Sequence, residues 1–114
     1  MEIVREPVDI AHLHDLAELM FGNLVKAVVD IGLGIMVIGG ELHADEEALL
    51  ISDGSDQAGL WGINLYPGQF GTPDFIEFDS MINIRPSQAN RTRSVDDPAI
   101  RAKVTAIVDR LVKQ

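Results

Sequence analysis

Val25-Lys26-Ala27-Val28-Val29-Asp30-Ile31-Gly32-Leu33-Gly34-Ile35-Met36-Val37-Ile38 is the stretch on which the fold turns. Two runs rich in β-branched residues flank a glycine turn, and that pattern predicts a β-hairpin. The Gly32-x-Gly34 spacing does not make a dinucleotide loop. The third glycine position of that fingerprint falls on Val37, and a strand follows where a helix is required.

Upstream of the hairpin, Ile10, Leu13, Ala17 and Met20 recur at three- and four-residue steps behind Asp9 and ahead of Gly22. This predicts a helix over roughly Asp9 to Phe21. Downstream, Asp45 is expected to cap a short second helix, with Glu46 and Glu47 in its first turn and its end near Asp53-Gly54. Leu60 to Tyr66 reads as a strand that stops at Pro67-Gly68, with Trp61 in the core and Gly62 marking a close backbone approach. After a loop over 67–74, residues 75 to 84 alternate. Phe75, Glu77, Asp79, Met81 and Asn83 fall on one side, and Ile76, Phe78, Ser80, Ile82 and Ile84 on the other, as in a long strand with one core face. Residues 85–94 are polar without an acid and predict a loop. Asp97 and Pro98 then open a final helix striped by Ile100, Val104, Ile107, Val108 and Leu111. The expectation is a single α+β domain over 1–114. It has a mainly antiparallel sheet of about four strands, with two or three helices packed on one face.

The 46% hydrophobic content argues for a globular chain, and 5% aromatic residues make its core aliphatic. With no cysteine there is no disulfide, no thiolate nucleophile and no Cys-ligated metal site, which fits a cytoplasmic setting. Residues 1–7 lack the pattern of a secretory signal, and no run reaches the roughly 20 apolar residues of a membrane span. Asn90-Arg91-Thr92 formally matches a glycosylation sequon and is set aside for want of an export signal. The net charge of -9 is uneven: residues 1–79 hold 2 Lys/Arg against 15 Asp/Glu, and residues 80–114 hold 7 against 3. The overall sign excludes nonspecific binding to nucleic acid or to an anionic membrane. The two parts are expected to attract each other, and the basic part is a candidate anion site.

Gly39-Gly40-Glu41-Leu42-His43-Ala44-Asp45-Glu46-Glu47 gathers a histidine and four carboxylates. If the chain is extended there, Glu41, His43 and Asp45 point to one side and form half of a Zn, Mn or Fe site. Completion would require His12, His14 or Asp79. Capping of the second helix by Asp45, with Glu46 and Glu47 in its first turn, accounts for three of the four acids without a metal and leaves Glu41 and His43 unexplained, and no cofactor is expected. His12 and His14 diverge by about 200° on a helix and cannot chelate one ion. A second candidate is the set Asn83, Arg85, Ser87, Gln88, Asn90, Arg91 and Arg93. Guanidinium forks among neutral donors suit a small anion. Asn64, an amide inside an apolar strand, is expected to face the same pocket as Asn83. There is no nucleophile elbow, Walker loop or HExxH.

Gly39 to Asp45, Trp61-Gly62-Ile63-Asn64 and Ile82-Asn83-Ile84-Arg85-Pro86-Ser87-Gln88 together resemble an uncharacterised family of small prokaryotic proteins, a domain of unknown function. The resemblance covers nearly the whole chain and implies a single domain without transferring an activity. The family pattern has a glycine where this chain has Ala89. The loop after Pro86 is therefore expected not to depend on a left-handed backbone there. The leading functional expectation is a small ligand-binding or protein-interaction module. Its polar pocket is framed by His43, Asp45, Asn64, Asn83 and Arg85, for a small anionic ligand or a protein partner. The alternative is a hydrolase-type enzyme, with Glu41, His43 and Asp45 as metal holders or acid and base, and Arg85 with Arg91 neutralising an anionic substrate. A third reading is a homodimer formed through the apolar sheet face.

Overall fold

The computed structural model describes residues 1–114. In chain order its elements are strands β1 (Glu2–Val4) and β2 (Val8–Asp9), helix α1 (Ile10–Leu19), strands β3 (Val25–Asp30) and β4 (Ile35–Ile38), and helix α2 (His43–Ser52). Strands β5 (Leu60–Leu65) and β6 (Ile76–Glu77), helix α3 (Pro98–Leu111) and strand β7 (Val112–Lys113) complete the chain. The fold is α+β, with an antiparallel five-stranded sheet in the order β1-β4-β3-β5-β6. No helix is long and apolar enough to cross a membrane.

The β3–β4 hairpin forms as its pattern predicts, with Asp30 opposite Ile35. Asp30 closes the turn, its Oδ1 accepting from Gly32 N at 2.8 Å and Leu33 N at 3.0 Å. Period-two alternation then sorts side chains to two faces. Val25, Ala27 and Val29 join Met36, Ile38, Trp61, Ile63 and Leu65 in the main core. Leu13 and Ala17 of α1 and Val104, Val108 and Leu111 of α3 cover it. Two helices thus share one face, each capped as its sequence indicates, by Asp9 and Asp97. On the opposite face α2 lays Leu50 over Val28, Ile35, Val37 and Leu60. A short parallel pair, Val8 with Val112 and Asp9 with Lys113, ties the start of α1 to the end of α3.

Three local expectations change. The fifth strand is Glu2–Val4, which pairs with β4 and is too short for its period to be read. The long strand over 75–84 does not form: only Ile76 and Glu77 pair with β5, and the chain then leaves for a 3₁₀ turn at Met81–Asn83. Gly62 permits this departure, because a Cβ on it would lie 2.5 Å from Ser80 Cβ. The side chains of Ser80 and Ile82 instead lie over Gly62, on the sheet face that carries Val28. Ala89 adopts φ 59, so this loop does use a left-handed residue and does so without glycine.

The start of α2 also differs. Leu42 is the N-cap, without a side-chain cap bond, so Asp45 is an exposed residue of the first turn. Glu46 is fully buried instead and reaches back to accept from Gly40 N at 3.1 Å, while its Oε1 has no partner. Gly40 leaves the room this needs, since a Cβ there would sit 2.6 Å from Glu46 Cγ. Burial pushes the Glu46 carboxyl up to about 9, against the opposing pull of the Gly40 N–H and Lys26.

Glu46 is therefore protonated in the folded protein at neutral pH. The unfolded chain gives up that proton near 4.5 and the folded chain holds it to about 9. Between those values the native state binds more protons, and stability falls as pH rises. Glu46→Gln carries no proton to lose, and we expect its melting temperature at pH 8 to exceed wild type by roughly 5 °C. The gap should shrink toward pH 5. A gap that stays constant with pH would refute the assignment.

Candidate functional site

The polar segment after β6 is largely occupied with the protein itself. Asn83 is fully buried and pairs with the exposed edge of β5: its Oδ1 accepts from Gly62 N at 2.8 Å and its Nδ2 donates to Gly62 O at 2.9 Å. Nδ2 also donates to Arg93 O at 2.9 Å. One side-chain amide thus reproduces the two bonds of a strand peptide. Arg85 lies next to it and donates to Leu60 O, and to Ile82 O and Gln57 O at 2.9 Å each. Its guanidinium packs 4.6 Å from the Trp61 ring centre and 3.5 Å from Glu47. Burial lowers its pKa, opposed by Glu47. Asn90 donates to Asn83 O and Ser94 O at 2.7 Å. These donors hold a loop, and neither Asn83 nor Arg85 shares a cavity with His43.

The cavity at His43 has other walls. It encloses about 220 Å³ between the first turn of α2, β3, β5 and the segment after β6. Lys26, His43, Asn64, Asp79, Ser80 and Arg93 supply its polar lining. Sheet register explains the floor, because Lys26 lies opposite Asn64, and Asn64 opposite Glu77, in one transverse row. Glu77 orients the Asn64 amide by accepting from Nδ2 at 2.8 Å. The amide oxygen Oδ1 is left without a partner, on a side chain only 8% exposed. Unpaired buried oxygens are uncommon and costly.

His43 is the first residue of α2, and its Nε2 lies 2.8 Å from Ile63 O. A carbonyl only accepts, so Nε2 carries the proton and Nδ1 keeps its lone pair. Burial lowers the His43 pKa below 6.5, the largest influence on it, which keeps the ring neutral near pH 7. The first N–H groups of α2 lack intrahelical partners, and Leu42 offers no side-chain cap.

Lys26 is the residue the sequence reading overlooked. It is half-buried on the central strand and takes part in none of the four ion pairs. Nearby Glu46 is protonated and offers no counter-charge. The Arg93–Asp79 pair at 2.6 Å closes the cavity's other end.

Of the residues singled out from sequence, His43, Asn64, Asp79 and Arg93 meet here, while Glu41, Asp45 and Arg91 are exposed outside the cavity. Glu41, His43 and Asp45 do not converge. The chain is already helical at His43, where positions two apart diverge. No group of three or more His, Cys, Asp or Glu side chains is placed to hold a metal ion. The Arg85–Glu47 and Arg93–Asp79 pairs join the basic part of the chain to the acidic part, as the charge asymmetry predicts.

Two measurements check this geometry. Asn83→Ala strips both partners from a buried peptide edge and should cost about 3 kcal/mol in denaturant unfolding. A loss under 1 kcal/mol would mean the amide is not the clasp. In an NMR pH titration His43 should titrate below 6.5 as the Nε2–H tautomer. The unfolded chain takes up that proton first as pH falls, so the His43 contribution to stability should decline below pH 6.5, against the opposite contribution of Glu46.

Neither the curated proteins nor the solved structures returned a match to this chain. A family model described as "Protein of unknown function (DUF5674)" matches residues 2–111, and the chain belongs to that family.

Proposed function

We propose that the chain is a small-ligand-binding module whose site is the cavity at the start of α2. One observation carries the reading. In a region with fifteen carboxylates and only one other cation, Lys26 lines a cavity without an acidic partner of its own. An isolated, half-desolvated ammonium beside helix N–H groups favours an anionic ligand group. The His43 Nδ1 lone pair favours a donor on that same ligand. At about 220 Å³ the cavity suits a molecule smaller than the usual drug-sized occupant.

The hydrolase alternative lacks this support. It required Glu41, His43 and Arg85 at one concave site, and Arg85 is spent on three backbone carbonyls and Glu47 elsewhere.

Titration of ¹⁵N-labelled protein with acetate, lactate and glycine tests the reading. Saturable shifts should concentrate on Lys26, Ala44 and the Asn64 side-chain amide. Lys26→Met, which keeps the apolar stem, should weaken binding about tenfold, equivalent to about 1.4 kcal/mol. Absence of any localised shift would overturn the site.

A further inference from the structure

The polar cavity opens beside a second recess of about 440 Å³, lined by Leu19, Met20, Phe21, Lys26, Glu41 and Leu42. Lys26 and Leu42 belong to both. The recess is built from the unusual exposure of four apolar side chains: Leu19 is 81% exposed, Leu42 56%, Phe21 43% and Met20 36%. Three are consecutive at the end of α1, where the helix stops at Leu19 and leaves Met20 and Phe21 outside the core. Contiguous exposed apolar residues beside a polar cavity are the mark of a binding surface. Met20 and Phe21 also suit the part, one by adaptable packing and the other by a rigid face.

Lys26 joins the two recesses. Its ammonium stands 5.0 Å from the Phe21 ring centre, so the charge sits where the apolar recess meets the polar one. A ligand whose anionic group lies at Lys26 and the α2 N-terminus can run its apolar chain along Phe21, Met20 and Leu42. Glu41 at the rim of the recess is ionisable and exposed, and would repel a second carboxylate on that chain. The polar cavity contributes a further requirement, since His43 lines it and its Nδ1 accepts and lacks a donor within the chain.

We propose that the ligand is a monocarboxylate with an apolar chain of a few carbons and a hydrogen-bond donor on the carbon next to the carboxyl. This describes a 2-hydroxy or 2-amino acid with a branched or aromatic side chain. The proposal rests on the cavity at His43 being the ligand site. It adds the orientation: carboxylate to Lys26 and α2, donor to His43 Nδ1, chain to the Leu19–Phe21 recess.

The test compares four probes on the full chain by NMR titration. They are lactate, 4-methylpentanoate, 2-hydroxy-4-methylpentanoate and 4-methylpentan-1-ol. The compound with both hydroxyl and chain should bind at least tenfold more tightly than lactate or 4-methylpentanoate, and the alcohol should bind weakest. Phe21→Ala, at an exposed position, should bring the affinity of 2-hydroxy-4-methylpentanoate down to about that of lactate. If no carboxylate produces localised shifts, the site itself is wrong. If lactate and 2-hydroxy-4-methylpentanoate bind equally, the site stands and the apolar recess is not part of it. Equal binding of the alcohol would overturn the carboxylate anchor. A concentration-dependent dimer that Phe21→Ala dissociates would show that a second copy covers the recess, and would overturn the proposal.

Discussion

The pairing of the Asn83 amide with both backbone groups of Gly62 holds the segment after β6, and with it one wall of the cavity at His43, against the sheet. β6 covers only the last two residues of β5, which leaves peptide groups further up that edge to be satisfied by something else. Asn83 and Arg85 supply the missing bonds from side chains, and Asn90 fastens their own loop behind them. Asp79, Ser80 and Arg93, three walls of the cavity, all belong to the segment that this arrangement pins against the sheet. Ser80 N donates to Arg93 O at 3.0 Å, and Asn83 bonds the same carbonyl, so the two ends of the segment share one acceptor. The shape of the cavity therefore depends on a bond made outside it.

Much of the architecture was legible because it is written in local period. The β3–β4 hairpin, β5, α1 and α3 each have a run long enough for the period and caps to agree. Residues 75–84 show where that logic stops. Their alternation is genuine, yet Asn83 and Ser80, on opposite sides of it, both meet β5 through side chains rather than through a backbone ladder. The cap of α2 failed for a related reason. Asp45 has the right chemistry, but the chain turns helical two residues earlier, and Glu46 three positions beyond His43 closes the entry from within. A carboxyl that folds inward without charge cannot be told from one on the surface by composition alone.

Of the site itself, His43 and Asn64 were visible as polar residues out of place, and Lys26 was visible in the same way. It interrupts the apolar run Val25-Lys26-Ala27-Val28-Val29 of the central strand, on the face that also carries Val28. Net charge obscured it. A chain at -9 directs attention to its acids, while a cavity responds to the few groups within several ångströms, screened from the rest. The basic third of the chain drew attention for the opposite reason, and its Arg85 and Arg93 are committed to Glu47 and Asp79. What distinguishes a binding cation from a structural one is the lack of a partner, and only the fold shows that.

The parallel pair of β2 and β7 constrains how a newly made chain can reach this structure. The hairpin and α1 can form while synthesis continues, since their contacts lie close in sequence. Val8 and Val112 stand roughly a hundred residues apart, and their pairing must wait until the last strand has cleared the ribosome. Until then Leu13 and Ala17 lack the cover that α3 provides, leaving the main core open on one side. A nascent chain thus carries an apolar sheet face in need of shelter from the emergence of the hairpin until α3 and β7 follow it.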